Sequence, residues 1–324
     1  MAIRYVNFAL RIKGREIKET DIDRVIESAS TVYVPLDREI LHVVPSEYII
    51  DGTDGIVRPL GMSGVRLEVK VNIITASHSV IENILRCCEK AGLKVVELVL
   101  EPIASSKAVL TEEELEHGTV FMDIGGGKTD AVVFKNGTMR HAAVIPIGGN
   151  HITNDISIGM RIPQKEAEKL KRQSSLKDAS QRSSEPIIKI MRSRCDELIA
   201  SVKKELNDAI LEYKPHSIVI TGGAALLDGI DKVAEAHIGL PVRIGYPERA
   251  KSALLKDLSK RPEFSTALGL SLYGFEEEFK DGSYESFGMD VLEGLSGLSG
   301  GFSRMQEWGA GVRRLLSRFR SSEL

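Results

Sequence analysis

The residues best suited to chemistry lie in one short run. Asp123 and Ile124 are followed by three glycines (Gly125, Gly126, Gly127) and the polar trio Lys128, Thr129 and Asp130, with apolar residues on both sides. Two β-rich runs joined by a glycine cluster read as a hairpin. Glycines let the backbone approach a ligand closely, and their N–H groups can share a concavity that suits an anion. Asp123, at a strand end, is placed to hold Mg²⁺ through water, because hard divalent cations take oxygen ligands. Thr129 offers its hydroxyl to a phosphate or to the turn itself. The same run would also serve as a plain glycine-rich turn. A second run, Ser217 to Leu227 (SIVITGGAALL), gives a buried strand, a turn at Gly222 and Gly223, and an apolar helix start. Strand, glycine turn and helix is an arrangement that sets a helix N-terminus on a nucleotide.

The elements that must position these turns follow from periodicity. Thr20 is an N-cap candidate for a helix carrying Ile22, Val25 and Ile26. Residues 38–44 and 47–51 read as strands, and Val65, Leu67, Val69, Val71 and Ile73 alternate with polar residues as in a half-buried strand. Residues 78–92 form an amphipathic helix (Val80, Ile81, Ile84, Leu85, Cys88) closing at Gly92. Residues 95–100 read as a buried strand, and a new helix opens at Glu101. Past the glycine hairpin, residues 142–150 read as a strand ending in glycines, and helices are expected over 152–162, 164–172 and 187–213. Residues 174–184 read as a polar loop or edge hairpin. A short strand at 241–245 and a helix over 262–273 follow. Strands alternating with helices indicate an α/β fold.

The 324 residues leave room for two domains, and a net charge of −3 gives no argument for nucleic acid as a partner. Three cysteines make neither a disulfide framework nor a metal spacing, which fits a reducing cytosol. The first ten residues do not form a signal peptide. Residues 281–301, rich in Gly and Ser, read as a flexible linker. Beyond it, at about 100° per residue, Phe302, Met305, Trp308, Val312, Leu315, Leu316 and Phe319 share one face about 140° wide, flanked by Arg304, Arg313, Arg314, Arg318 and Arg320. Such a segment, 302–324, would gain from lying on an anionic membrane, by about 1 kcal/mol for each well-placed Arg besides the apolar burial. The alternative is a helix docked on the protein's own core.

The two glycine turns together resemble the phosphate and adenosine motifs of the actin-like ATPase superfamily. More specifically, residues 22–26, 41–45, 47–52, 61–71, Gly92-Leu-Lys-Val, Glu101-Pro-Ile-Ala-Ser, Asp123-Ile-Gly-Gly-Gly, Val144-Ile-Pro-Ile-Gly-Gly-Asn and Thr221-Gly-Gly-Ala-Ala resemble the bacterial cell-division family FtsA. The resemblance implies an actin-like (ribonuclease H-like) α/β fold. Residues 1–70 would be a family-specific α+β subdomain, 71–117 the remainder of the first actin-like subdomain, and 118–280 the second half. It implies ATP and Mg²⁺ as cofactors, with Asp123, Gly125, Gly126, Gly127 and Thr129 as a phosphate loop and Gly222 and Gly223 at the adenosine. Glu168 and Lys171 would contact the ribose, although without the family they read as a solvated surface pair. Glu101 would orient water, and with Asp123 forms the candidate catalytic pair. At most a weak ATPase is implied.

The implied role is a scaffold that self-associates into filaments with other division proteins. It would tether FtsZ, docked on 161–205, to the cytoplasmic face of the cell membrane at the division site. In that role Phe302, Met305, Trp308, Val312, Arg313, Arg314, Leu315, Leu316, Arg318 and Phe319 would meet the lipid. The chain departs from the family at Lys128, where Thr is usual, and in carrying no Asp-x-Gly-x-x first phosphate loop before Asp123. The expectation is a member shortened at its N-terminus, with weakened ATP binding. The rival readings are a related actin-like platform for pili or elongation and an actin-fold kinase of small metabolites.

Overall fold

A computed structural model describes residues 2–31, 33–177, 186–249 and 257–280. The linker and the terminal helix expected from the sequence, and residues 178–184 of the polar loop, lie outside the described residues. The chain divides into two compact units. The first is Met1–His78 with Leu110–Gly245, and the second is Ser79–Val109 with the described residues from Tyr246 on.

The first unit holds two sheets. Strands β1 (Ala2–Glu16), β2 (Arg38–Ile50), β3 (Thr53–Ile56) and β4 (Ser63–Ser77) form a sheet in the order β1-β4-β2-β3. Helix α1 (Glu19–Ser30) covers one face. The alternation in β4 holds from Leu67 on: Leu67, Val69, Val71 and Ile73 are buried with Val25 and Ala29 of α1. Val65 stays exposed. The two strands expected at 38–44 and 47–51 are one strand whose register shifts at Pro45. β1 went unread in the sequence. Its N-terminal half alternates Val6, Phe8 and Leu10 toward α1 with Asn7 and Ala9 outward.

The cap of α1 is not Thr20. Lys18 occupies that position, and its N–H donates to Asp21 Oδ2 at 3.0 Å. Asp21 is buried and takes both arms of the Arg15 guanidinium at 2.7 Å. Those bonds and the Lys18 N–H hold its pKa down at about 2. A carboxylate can accept several donors where a threonine hydroxyl accepts one or two, so the side chain that closes this helix start is Asp21, in its first turn, reaching back to Lys18.

The second sheet runs β7-β6-β5-β8-β9, with β5 (Thr119–Ile124), β6 (Thr129–Lys135), β7 (Thr138–Ile145), β8 (Ser217–Thr221) and β9 (Val242–Ile244). β5, β6 and β7 form an antiparallel meander, and β5, β8 and β9 run parallel. All six residues of β5 are buried, as the apolar run of a central strand requires. Helices α5 (Gly149–Met160), α6 (Gln164–Gln173), α7 (Pro186–Tyr213) and α8 (Ile230–Ile238) contribute Ile152, Ile156, Ala167, Leu198, Val202 and Val233 to its core. The short helix α4 (Glu112–His117) precedes β5 and is capped by Thr111.

A polar seam joins the two sheets. Arg140, 3% exposed in its side chain, donates to Glu47 at 2.8 Å, and Lys70 also pairs with Glu47. The guanidinium lies 5.6 Å from the Tyr213 ring centroid. Thr138 donates to the Ser46 carbonyl at 3.0 Å and Asn72 Nδ2 to the Met139 carbonyl at 2.8 Å.

In the second unit, α2 (His78–Lys90) leads from the first unit, and α3 (Glu101–Val109) packs on α9 (Ser265–Lys280). The packing is close: a methyl at Gly269 would overlap the Ala104 carbonyl group. Residues 95–100 are not a strand. They have no regular structure, and Val96 is 67% exposed. An apolar run becomes a strand only where a neighbouring strand takes its hydrogen bonds, and among the described residues none does.

Candidate functional site

The parallel pairing of β5 and β8 sets Asp123 opposite Thr221. Both glycine turns therefore leave the carboxyl ends of adjacent parallel strands, the position at which open α/β sheets bind ligands. Asp123 is buried, and its carboxylate lies against Gly222, whose φ is +88°. A methyl there would overlap Asp123 Oδ1 and stand 2.6 Å from the Ile124 carbonyl oxygen. Only glycine meets both demands. The expected helix start beyond it is a single 3-10 turn, Gly223–Leu226. Gly229, at φ +93°, then opens α8. Gly222 and Gly223 thus offer close backbone approach rather than a helix N-terminus.

A third loop joins them. Gly149 N donates to the Gly125 carbonyl at 2.9 Å and Asn150 N to the Gly126 carbonyl at 2.8 Å. These bonds stitch the start of α5 onto the glycine hairpin. A methyl at Gly148 would stand 2.6 Å from Gly125 O and 2.7 Å from Gly126 O, so this contact also demands glycine. Gly126 and Gly127 stay exposed. The Thr129 hydroxyl is buried and donates to the Ile147 carbonyl at 2.8 Å, so of its two candidate roles it takes the one within the turn. Lys128 pairs with the buried Asp130.

Glu168 and Lys171 are not a solvated pair. They bridge at 2.7 Å, and Lys171 is only 13% exposed. Lys171 Nζ donates to the Gly149 carbonyl at 3.1 Å and to Thr153 Oγ1 at 2.8 Å, while the Thr153 hydroxyl donates to Glu168 Oε2 at 2.6 Å. Burial alone would raise the Glu168 pKa, but bonds from Lys171, Thr153 and Arg172 bring it down to about 2. The pair is thereby tied to the same helix start that holds the glycine hairpin. Glu101 lies in the second unit, as the half-buried first residue of α3. The membrane-facing candidates from Phe302 to Phe319 lie outside the described residues. Among the described residues, no helix is long and apolar enough to cross a membrane.

Gly148, Gly149, Asn150 and Thr153 join the site although the two glycine motifs of the sequence do not include them. Their signal is the Gly148-Gly149 pair closing the 142–150 run, which lies in sequence between the other two glycine turns of the site. The assembled groups fit one side of a nucleotide site. Exposed glycine backbone and a helix start suit an anion, and the buried Asp123 suits a hydrated divalent cation.

Two family signatures match the chain: "Cell division protein FtsA" over residues 120–269 and "SHS2 domain inserted in FTSA" over residues 2–75. The cell division protein FtsA of Pseudomonas aeruginosa is 38% identical over 287 residues, which cover 82% of this chain and 68% of that protein. Among solved structures, the PilM-PilN type IV pilus biogenesis complex superposes with a TM-score of 0.59 at 19% identity, covering 84% of this chain and 76% of that one. MreB 5 of Spiroplasma citri bound to AMPPNP superposes with a TM-score of 0.50 at 21% identity, covering 64% and 68%. The fold is that of the actin-like ATPases.

Proposed function

Because the chain belongs to the FtsA family of cell-division proteins, we propose that it is an actin-like, self-associating scaffold that binds ATP with Mg²⁺ and links FtsZ to the cytoplasmic face of the membrane. The observation that carries the nucleotide half is the placing of both glycine turns at the carboxyl ends of β5 and β8. In this reading Gly125, Gly126 and Gly127 present backbone N–H groups to the phosphates. Asp123 orients water around Mg²⁺. Glu168 and Lys171 meet the ribose, and Gly222 and Gly223 admit the adenosine side. Bound ATP supplies negative charge whose loss on hydrolysis can alter contacts between copies.

The pair's links to Gly149 and Thr153 support the same reading, because they connect the ribose contact to the phosphate turn through one helix start. FtsZ docks on residues 161–205, and residues 302–324 lie on anionic lipid. Residues 1–70 form the family-specific subdomain, 71–117 complete the first actin-like subdomain, and 118–280 form the second half.

The test is recruitment of FtsZ polymers to anionic vesicles by the full chain, with and without residues 302–324, beside a titration with Mg·ATP. Recruitment that needs the tail, with saturable Mg²⁺-dependent ATP binding lost in Asp123→Asn, is the expected result. Polymers left in solution would overturn the tether. ATP binding indifferent to Asp123 would overturn the site.

A further inference from the structure

The hairpin that carries Asp123 also carries its own cation. Strands β5 and β6 pair so that Asp130 stands directly opposite Asp123. Directly opposed residues of antiparallel strands project from one face, with Cβ atoms about 5 Å apart. That face is turned away from helices α5 to α8, because Met122, Ile124 and Ala131, one position along, belong to the core those helices cover. Both acids are buried, Asp123 at 4% exposure and Asp130 at 2%. Like charges set directly opposite one another are costly, and burial raises the cost. The chain meets that cost with Lys128, whose Nζ donates to Asp130 Oδ2. The backbone of Lys128 is fixed in the turn, since its carbonyl accepts the Gly125 N–H at 3.0 Å. Its side chain is 48% exposed. The positive charge therefore rides on a flexible stem that can leave Asp130 without disturbing the hairpin.

We propose that Lys128 is the resident counter-ion of the Asp123–Asp130 pair and competes with a divalent cation for it, so that this residue sets how much Mg²⁺ the site requires. The inference rests on the reading of Asp123 as a Mg²⁺ residue given above. The pair brings two negative charges and Lys128 one positive, so the ammonium neutralises only half of what a divalent cation would. Ammonium and hydrated Mg²⁺ seek the same carboxylate oxygens, the one by donating hydrogen bonds and the other through its water. One must leave for the other to take Asp130. Displaced, the ammonium lies between the exposed Gly127 and the buried Thr129, beside the turn assigned to the phosphates. There it suits a phosphate oxygen as a point charge. A cation that arrives with a nucleotide therefore displaces Lys128 more readily than one that arrives alone. The threonine usual at this position carries no charge and would leave the acid pair open to either.

The test needs no nucleotide. The full chain is titrated with MgCl₂ at constant ionic strength, and the rise in melting temperature gives a Mg²⁺ midpoint. Lys128→Met keeps the stem and removes the charge. Its midpoint should fall about fivefold, the worth of an ion pair with one exposed partner. Lys128→Thr should behave in the same way. Asp130→Asn should erase the difference between the unsubstituted chain and Lys128→Met, because the two cations then have no carboxylate at that position to contest. An equal or higher midpoint in Lys128→Met overturns the proposal. So does a difference that survives Asp130→Asn, or a melt indifferent to Mg²⁺ in every variant. The nucleotide reading fails separately. If the midpoints shift as expected but ATP binds none of the proteins, that reading falls and the counter-ion role stands. If ATP binds with a Mg²⁺ requirement that Lys128→Met leaves unchanged, the counter-ion role falls and the nucleotide reading stands.

Discussion

Gly222→Ala should damage both the fold and the site, and its cost can be worked from the structure. At φ +88° and ψ 173° an alanine pays about 1 to 2 kcal/mol for a backbone region that is essentially glycine's alone. Its methyl would overlap Asp123 Oδ1 and stand 2.6 Å from Ile124 O and 2.9 Å from Ile124 C, whereas real Cβ atoms essentially never come within 3.0 Å. Those atoms belong to β5, which is paired on both edges with β6 and β8. A strand held on both sides yields little, so overpacking adds about 1 to 3 kcal/mol. The sum, about 2 to 5 kcal/mol, lowers the melting temperature by roughly 5 to 15 °C for a unit of this size. Gly127→Ala is the control. Gly127 is exposed, and its methyl would meet nothing within 4 Å, so its cost should stay under about 0.5 kcal/mol. Calorimetry reads both variants, and titration with a fluorescent ATP analogue reads the site. A Gly222→Ala melt matching that of Gly127→Ala would refute the close approach of Asp123 to the second glycine turn.

Further predictions concern charge, packing and thiols. Glu47→Ala strands the buried Arg140, which should cost about 3 kcal/mol in chemical denaturation, as breaking a buried pair does, while an added Arg140→Met change should restore part of it. Glu168, held at about 2 in the fold, stabilises it above the ordinary carboxylate value near 4.5, and that stability is lost as pH falls through about 2. Lys171→Met should therefore flatten the acid limb of a melt-against-pH curve in this window and, in the proposed function, weaken ATP binding. Gly269→Ala forces α9 off the Ala104 backbone and should destabilise the second unit by about 3 kcal/mol, seen as an earlier transition in a thermal scan. Burial pushes the Cys195 thiol up to about 12, so maleimide should label Cys87 quickly and Cys195 only after unfolding.

Much of this was legible in the sequence because local pattern and final environment agree. Leu67, Val69, Val71 and Ile73 fall at every second position and are buried together on the side that faces α1. The glycine cluster after Asp123 forms a hairpin as its composition demands. β1 escaped because Arg11 and Lys13 interrupt its apolar look, although Val6, Phe8, Leu10 and Ile12 kept the period of two. Residues 95–100 misled in the opposite direction: their composition suits a strand, but composition cannot supply the neighbouring strand. In the site, the i,i+3 spacing of Glu168 and Lys171 was visible. Their anchorage on Gly149 and Thr153 was not, since it depends on how α5 and α6 cross. Glycine's role at position 222 likewise rests on the register between strands nearly a hundred residues apart, which no local window contains.

The seam between the sheets has a consequence for the order in which this chain comes apart. Each sheet keeps its own apolar core, one gathered under α1 and the other around β5 and α7. What lies between is directional and polar: Arg140 on Glu47, Thr138 on Ser46, and Asn72, whose buried Oδ1 has no hydrogen-bond partner. Water can replace such bonds one for one, but it cannot replace burial of a core. The boundary between two cooperative unfolding blocks therefore falls here. Amides of β1 to β4 should exchange with deuterium as one group and those of β5 to β8 as another, with the first block free to detach and re-dock while the glycine turns stay folded.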